Sequence, residues 1–394
     1  MHCSLKTKEI WNSKDKLDFI NNSTKSFSEY SRLVSCISSN YAIKVEQADL
    51  NLKKFLDIFI NLSTDNEVTD SQLVKCITTF IGDLEGHPIK RDFKVFIRGL
   101  WTDREHEISR GLIIRPFKPI DFEIDIPLYR LDSEKHDRWS SLILELNYKS
   151  KRVQQAEDEI EFILTCFRLF RLGSVEGSCL EVKPQSFLEH QYMRSSDRED
   201  YPNYRYHLLE EDIPKLIDLI TRLNASPQKE VIINSKKNMS PQAIALERFC
   251  DSLLYPGKLE SRITSAINSL EAIYLKKDER AELSHRLGQR ASILLSFFGY
   301  NSTIKTYNDI HRAYMIRSNY IHGSVNDNES RDQSINDLTK RIIDYARISI
   351  LIFLQLMPTI EKDTLINKID NSLLDNKARD KLRDLITTNC IIYI

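Results

Sequence analysis

The sequence predicts an α+β protein: a mixed N-terminal domain containing an antiparallel β-sheet, followed by an all-helical C-terminal domain. The 394 residues include only 10 Gly and 11 Pro, which favours long uninterrupted helices over loop-dominated folds. Apolar residues alternate with a period of two between about 91 and 150, whereas a helical period dominates after residue 240. The hydrophobic content of 41% is that of a globular chain.

The N-terminal domain is assigned to residues 1–224. The spacing of apolar residues predicts helices over Leu50–Phe59 and Leu73–Ile81. Three later runs alternate apolar and polar residues, which is typical of strands with one solvated face. Their apolar members are Phe93, Val95 and Ile97; Phe122, Ile124, Ile126 and Leu128; and Leu142, Leu144, Leu146 and Tyr148.

Further elements follow in the same domain. A helix is expected from Lys151 to Leu172, with Gly173 as its C-terminal cap. A short strand near Cys179–Val182 comes next, and then a helix from about Pro214 to Leu223. The polar residues 225–239 predict a linker between domains.

The C-terminal domain is assigned to residues 240–394. Ser240 and Pro241 have the residue types of an N-cap and a first helical position. The helix that follows carries an i, i+3, i+4, i+7 apolar stripe, formed by Ile263, Ala266, Ile267, Leu270, Ile273 and Tyr274. Later helices are expected near 283–298, 303–321 and 335–356, with one more amphipathic helix in the tail.

Charge and hydropathy restrict the class of protein. The net charge of −1 argues against a uniformly basic nucleic-acid coat, so any nucleic-acid surface must be local. The apolar run Ile348–Met357 is too short to span a membrane, and the first residues lack the apolar core of a signal peptide. The seven cysteines are odd in number and dispersed. We therefore expect a cytoplasmic protein without a membrane segment or disulfide framework.

The motifs of common cofactor and metal sites do not occur. The sequence has no Gly-rich phosphate-binding loop, no Gly-x-Ser-x-Gly and no His-Glu-x-x-His. Its nine histidines are scattered. The sequence therefore predicts no cofactor and no metal.

Three Arg–His pairs remain as candidates for chemistry: Arg130 with His136, Arg280 with His285, and Arg317 with His322. About two such pairs are expected by chance, so context must decide between them. The first lies in a charged turn and the second in the first turns of a helix. Arg317 and His322 lie at a helix C-terminus directly before Gly323, where cations are favoured and a capping role is the simplest alternative.

The third pair has the chemistry that metal-independent RNA cleavage requires. Histidine transfers protons near neutral pH, and a guanidinium binds phosphate. On an ideal helix these side chains diverge by about 140° and lie about 7.5 Å apart along the axis. Two copies related by a twofold axis would surround a phosphate better than one copy. The apolar helices at 258–275 and 335–356 are expected to supply the dimer interface, with the 304–322 helices close to the twofold axis.

The stretch Arg262–Gly323 resembles the Apea-like branch of the HEPN superfamily (higher eukaryotes and prokaryotes nucleotide-binding domains). The resemblance rests on RITSAINSLEAIYL, HRLGQRASILLS and YMIRSNYIHGS, the last of which matches the family's Arg-x4–6-His motif followed by Gly. It covers about the last 40% of the chain well and the N-terminal region only loosely. It implies a helical homodimer that cuts RNA without metal, often in anti-phage defence, abortive infection or toxin activity.

By the same resemblance, Arg317 and His322 take the catalytic positions. Many relatives have Asn or Asp directly after the Arg, whereas this chain has Ser318 there and Asn319 one place later. Both are candidates for a supporting polar role. Glu271 either positions the motif Arg or forms an ion pair with a helix neighbour.

Several residues are candidates for RNA binding, because residues 276–323 contain eight Lys and Arg against four acids. Arg286, Arg290 and Arg312 offer charge, while Tyr314 and Tyr320 either stack on a base or pack in the protein. The alternative function is a non-catalytic helical module for dimerisation or for binding a nucleic acid or nucleotide. Separately, the N-terminal domain is a candidate for a sensing or regulatory part.

Overall fold

The computed structural model describes residues 28–65, 69–118, 121, 142–195, 204–225, 227–255, 257–299, 302–323 and 333–393. Within these residues the chain is an α+β protein, with a six-stranded antiparallel sheet in its N-terminal part and mostly helices in its C-terminal part. The predicted fold class is confirmed.

Up to residue 223 the described residues form both helices and strands, and after it they form helices without strands. They are α1 (Ser28–Tyr41), α2 (Val45–Asp65), α3 (Asp70–Leu84), α4 (Val153–Phe170), α5 (Ile213–Leu223), α6 (Gln228–Ile233), α7 (Pro241–Leu254), α8 (Leu259–Tyr274), α9 (Leu283–Ser296), α10 (Thr303–Ile321), α11 (Gln333–Leu356), α12 (Lys362–Leu374) and α13 (Asn376–Asn389). The strands are β1 (Ile89–Arg98), β2 (Leu100–Trp101), β3 (His106–Ser109), β4 (Leu112–Pro116), β5 (Leu142–Ser150), β6 (Glu176–Pro184), β7 (Tyr192–Ser195) and β8 (Tyr206–His207).

The main sheet has the strand order β3-β4-β5-β1-β6-β7, and β2 pairs with β8 in a separate parallel ribbon. Leu112 of β4 lies opposite Leu146 of β5, and Ile114 lies opposite Leu144. All four are buried, so the register places apolar residues of both strands on the same face. The predicted strands at Phe93–Ile97 and Leu142–Tyr148 are confirmed. The predicted run Phe122–Leu128 lies outside the described residues.

The hairpin formed by β3 and β4 was not predicted from the sequence. Its strands are four and five residues long, too short for their alternation to stand out. Gly111, with φ of +79°, takes the left-handed conformation that the turn requires.

Two other sequence-based details were wrong. Gly173 is not a left-handed helix cap; a Cβ there would lie 2.5 Å from the Tyr206 ring, so the glycine allows close packing instead. The tail holds two helices rather than one. They separate at Asp375, whose side chain accepts hydrogen bonds from the N–H groups of Lys377 and Ala378 and thereby starts α13.

Contacts divide the described residues into two compact units. The first contains residues up to 93 together with 147–155 and 181–193, and the second contains 94–146, 156–180 and everything from 194 onward. This grouping describes packing; the proposed domains 1–224 and 240–394 and the linker 225–239 stay predictions. Residues 228–233 of that segment form α6, with Val231 and Ile232 buried.

The first unit has a small apolar core where α1, α2 and α3 meet. Its buried members are Val34, Ile37, Ala48, Leu52, Phe80 and Phe187. The Phe55 ring lies 4.6 Å from the Phe80 ring and 5.0 Å from the Phe187 ring. These aromatic contacts join α2 to α3 and to Phe187.

The second unit is built around α8 and α11. All six residues of the predicted stripe on α8 are fully buried, and α8 packs against α7, α10 and α11. Ser240 caps α7 by accepting a hydrogen bond from the Ala243 N–H, as predicted. The apolar residues of α8 and α11 are used inside the chain. The expectation that these two helices supply a dimer interface was therefore wrong.

Two findings concern the described residues of both units. The described cysteines, which are Cys36, Cys76, Cys166, Cys179, Cys250 and Cys390, are free thiols. Among the described residues, no helix combines the length and the apolar character needed to cross a membrane.

Candidate active site

The Arg–His motif lies at the C-terminal end of α10. Ser302 starts this helix by accepting a hydrogen bond from the Lys305 N–H. The helix ends at Ile321; His322 is its cap residue, and Gly323 follows with φ of +69°. A left-handed residue is the common way to end a helix, so the sequence-based position of this end is confirmed. The motif therefore occupies a defined helix terminus.

Arg317 is held by two residues of α8. Its Nε donates to Asn268 Oδ1 at 3.1 Å, and its Nη2 donates to Glu271 Oε2 at 3.2 Å. Its guanidinium carbon also lies 5.2 Å from the centre of the Tyr314 ring, one helical turn earlier. The guanidinium is thus fixed by contacts with three residues. Two of its five N–H groups donate to Asn268 and Glu271, so the others remain for a phosphate.

The electrostatics of this cluster follow from its burial. Burial raises the pKa of Glu271, and the charge of Arg317 lowers it only in part. Burial and the Glu271 carboxylate together raise the pKa of the Tyr314 hydroxyl. Glu271 therefore stands beside Arg317 as a carboxylate in an environment that disfavours its charge.

His322 is exposed and is oriented differently from Arg317. Its backbone N–H bonds the carbonyl oxygen of Ser318 within the last helical turn, and its side chain reaches solvent. Arg317 contacts α8, five residues earlier on the helix. Arg317 thus contacts α8 while His322 is exposed; the divergence of about 140° between the two side chains stays a prediction.

The proposed supporting residues are placed as follows. Glu271 of α8 contacts Arg317 of α10 directly, so its observed partner is the motif Arg, as in the first of the two sequence-based alternatives. Ser318 is half-buried and Asn319 is exposed on the last turn of α10. The supporting polar role of these two residues stays a prediction, whereas Asn268 accepts a hydrogen bond from Arg317. Asn268 was not predicted from the sequence, although its spacing of three from Glu271 places both on one face of a helix.

Arg290, a candidate for RNA binding, is only 2% exposed. Its five N–H groups bond Glu279, Asp370 and the Tyr274 carbonyl oxygen, at 2.6 to 2.8 Å. Arg286 is half-buried and donates to the same Glu279 at 3.2 Å. Arg290 thus joins α9 to α12 and has no donor left for RNA.

The remaining candidates lie on α10. Arg312 is exposed, and its Nη2 donates to Ser334 Oγ at 2.9 Å. Tyr314 packs beneath Arg317, while Tyr320 is half-buried near the helix end. Lys277, Arg280 and Lys305 are exposed as well. The local positive charge therefore resides in exposed residues outside the Arg290 network.

The second Arg–His pair proves to be part of a different cluster. His285 Nδ1 lies 2.9 Å from the Tyr307 hydroxyl, and the Tyr307 ring stacks on His311 with 6.3 Å between centres. Arg280 instead bonds the backbone oxygens of Lys277 and Glu279. The remaining pair, Arg130 with His136, lies outside the described residues.

The described residues were also compared with the arrangements that hold metal ions. Within the described residues, no group of three or more His, Cys, Asp or Glu side chains is arranged to hold a metal ion.

Comparisons with known proteins give no match: no family model matches the sequence, and no curated protein and no solved structure matches the chain.

Proposed function

We propose that this protein is a metal-independent RNA endonuclease whose active site is completed by a second copy of the chain. The observation that carries the proposal is the pairing of an oriented cation with an accessible acid/base group on one helix end. Arg317 is fixed by Asn268 and Glu271, and His322 is exposed one and a half turns later. The resemblance of the surrounding sequence to the Apea-like HEPN branch points to the same chemistry.

The reaction uses the ribose 2′-hydroxyl of the substrate as the nucleophile. One His322 removes the 2′-hydroxyl proton while the oxygen attacks the adjacent phosphorus. The bond from phosphorus to the 5′-oxygen breaks, and His322 of the partner subunit donates a proton to that oxygen. Arg317 stabilises the negative charge that develops on the phosphate. The products are a 2′,3′-cyclic phosphate and a 5′-hydroxyl.

The homodimer is assigned to the outer face of α10. Ile304, Met315 and Ile321 on this helix are 74%, 52% and 54% exposed. Met315 and His322 are separated by seven residues, so both lie on one face of the helix. Packing α10 against its symmetry mate would cover Ile304 and Met315, which share this face, and bring the two His322 side chains together.

The biological setting follows from the chemistry and from the resemblance. An RNA endonuclease of this kind acts in the cytoplasm as a toxin or in anti-phage defence through abortive infection. We assign the N-terminal part of the chain to the control of this activity by a trigger or regulator.

One observation favours a second function, a non-catalytic module that dimerises or binds nucleic acid. The charge of Arg317 is already partly compensated by Glu271. If that compensation is complete, the helix end binds no phosphate and His322 acts only as a helix cap.

An RNA cleavage assay in chelator separates these functions. Wild type, His322→Ala and His190→Ala are incubated with mixed RNA; His190 is an exposed histidine outside the motif. The proposal predicts cleavage by wild type and by His190→Ala, and at least about a 10²-fold loss for His322→Ala. Equal cleavage by all three proteins would contradict the assignment of His322, whereas no cleavage by dimeric wild type favours the non-catalytic module.

A further inference from the structure

One line of residues along the outer face of α10 has a regular spacing. Intervals of four and three residues alternate from the first turn of the helix to its end, and the residues at these positions are Ile304, Asn308, His311, Met315, Ser318 and His322. Ser318 is half-buried and the other five are exposed. The same alternation marks the contact line between two helices of a coiled coil. These six residues are called the α10 seam below.

The proposed shared site decides how two seams pair. In a parallel pair about a twofold axis, each seam residue lies opposite the same residue of the partner subunit. In an antiparallel pair, His322 would lie opposite Ile304 of the partner subunit, and the two His322 side chains would stand about 27 Å apart. A parallel pair therefore brings both His322 side chains to one phosphate, and it also places His311 opposite His311 of the partner subunit.

His311 has a fixed setting on the seam. Its ring stacks on the Tyr307 ring, with 6.3 Å between the centres and 25° between the planes. Tyr307 lies over Gly288 of α9, where a Cβ would stand 2.8 Å from the tyrosine ring. The Tyr307 hydroxyl lies 2.9 Å from Nδ1 of His285. The position of His311 on the outer face therefore depends on packing between α9 and α10.

Pairing of the seams would bury His311. It lies between Ile304 and Met315, which are 74% and 52% exposed in the single chain. His322, in contrast, is the last seam residue and lies at the open end of the helix. His311 is therefore the histidine that loses most contact with water when two chains associate.

The charges of α10 itself provide no counter-charge for a protonated His311. Lys305 and Arg312 are exposed on either side of the seam. The one acid of this helix is Asp309. It is half-buried and bonds Arg341 of α11, at 2.7 and 3.0 Å. Twofold pairing of this helix therefore brings cations toward cations.

The helices packed against α10 carry four acids or bases that were also considered. Glu271 of α8 is engaged by Arg317, and His285 of α9 bonds Tyr307. Glu282 at the start of α9 and Asp337 of α11 are exposed. Among the described residues, the histidines that form ion pairs are His87 and His207. His311 therefore has no acidic partner within the described part of the chain.

We infer that acid separates the homodimer, because protonation places two like charges opposite each other at His311 in the α10 seam. This inference rests on the dimer of the proposed function and not on RNA cleavage. Histidine changes its charge between pH 5 and 8. A neutral imidazole is compatible with an apolar interface, whereas a facing pair of imidazolium groups loses hydration and repels. The dimer thus holds fewer protons than two separate chains and dissociates as the pH falls through this range.

Sedimentation equilibrium of the full chain without RNA, at pH 8 and pH 6, measures this effect. The dissociation constant of the wild-type dimer should rise about tenfold or more on acidification, since each dimer takes up two protons as it separates. His311→Gln keeps a polar side chain but cannot become charged, so its dissociation constant should change by less than about threefold. His322→Gln and His190→Gln, the latter at an exposed histidine outside the seam, should respond as wild type does.

A second readout tests the pairing of the seams at constant pH. Oxidation at pH 8 should join two chains of the Asn308→Cys variant through a disulfide bond at that position, which mass spectrometry of the linked peptides identifies. Parallel seams place both copies of this position together. Lys305→Cys changes an exposed residue of α10 outside the seam and should not form this link.

The outcomes separate this inference from the proposed function. A dimer whose dissociation constant is the same at pH 8 and pH 6, or a pH dependence that His322→Gln removes and His311→Gln keeps, would overturn the inference. A dimer without the Asn308→Cys link would overturn it as well. A chain that is monomeric at both pH values would contradict the proposed dimer and the inference together. A dimer that separates in acid through His311 but cuts no RNA would support the inference and contradict the proposed cleavage.

Discussion

Arg317 of α10 donates a hydrogen bond to Glu271 of α8, with 3.2 Å between Nη2 and Oε2. The Asn268 amide oxygen accepts from Nε of the same guanidinium. The pair fixes the direction of Arg317 while His322 stays exposed at the helix end. In this account Glu271 serves to position the phosphate-binding cation.

Replacement of Glu271 tests whether its role is positional or stabilising. Its pKa is raised in the folded chain, so its ionisation opposes folding. Protonation of Glu271 at low pH increases the free energy of unfolding. This increase is lost as the pH rises through the pKa of Glu271 in the folded chain. Glu271→Gln should therefore be more stable than wild type at neutral pH, by up to about 1 kcal/mol. The two should be equally stable well below the ordinary value of 4.5.

Urea unfolding at several pH values measures this difference, and RNA cleavage by the same variant should fall about tenfold. Unchanged cleavage together with a loss of stability at neutral pH would assign Glu271 to structure alone.

Arg290 and Arg312 provide a matched pair for the structural and RNA-binding roles. Arg290→Ala leaves Glu279 and Asp370 without their shared cation and should lower the free energy of unfolding by about 3–5 kcal/mol. Arg312→Ala changes an exposed residue and should alter stability by less than about 0.5 kcal/mol, while weakening RNA binding. Denaturant unfolding and RNA titration of both variants check this prediction; a mild effect of Arg290→Ala would contradict it.

The same network predicts a specific sensitivity to acid. The hydrogen bonds from Arg290 lower the pKa of Glu279 to about 2. Because the folded pKa lies below the unfolded value, Glu279 stabilises the chain above its ordinary value of 4.5 and loses that contribution as the pH falls toward 2. Glu279→Gln should be less stable than wild type at pH 6, and the difference should shrink on acidification. A constant difference across this range would argue against the assignment.

The sequence predicted those features that depend on local patterns. The buried stripe of α8 and the Ser240 cap were recognisable because helical periodicity and capping act within a few residues. The position of the motif at a helix end followed from Gly323 in the same way.

The sequence could not predict features set by distant partners. Arg290 looks like other cations of α9, and only the fold brings Asp370 to it across 80 positions of the chain. Similarly, the role of Asn268 depends on its hydrogen bond with Arg317, which lies 49 positions later in the chain. Residues 276–323 do contain more cationic than acidic side chains. Part of this positive charge is not at the surface, because Arg290 is buried.

The composite site predicts interference between chains. Wild type is mixed with an excess of His322→Ala under conditions that allow subunits to exchange. Mixed dimers would contain one His322 in place of two, so cleavage should fall below the level expected from dilution. An excess of the double variant Met315→Asp/His322→Ala, which places a charge on the exposed face of α10, should only dilute. Equal effects of both additions would exclude a site shared between chains.

The central claim is that the Arg317–His322 helix end cuts RNA through the ribose 2′-hydroxyl. It is tested most directly by the end groups of RNA that wild type and His322→Ala cleave in the presence of chelator. The account predicts fragments with 2′,3′-cyclic phosphate and 5′-hydroxyl ends from wild type, and at least about 10²-fold fewer of them from His322→Ala. Fragments with 5′-phosphate ends, or wild-type cleavage that chelator abolishes, would contradict it.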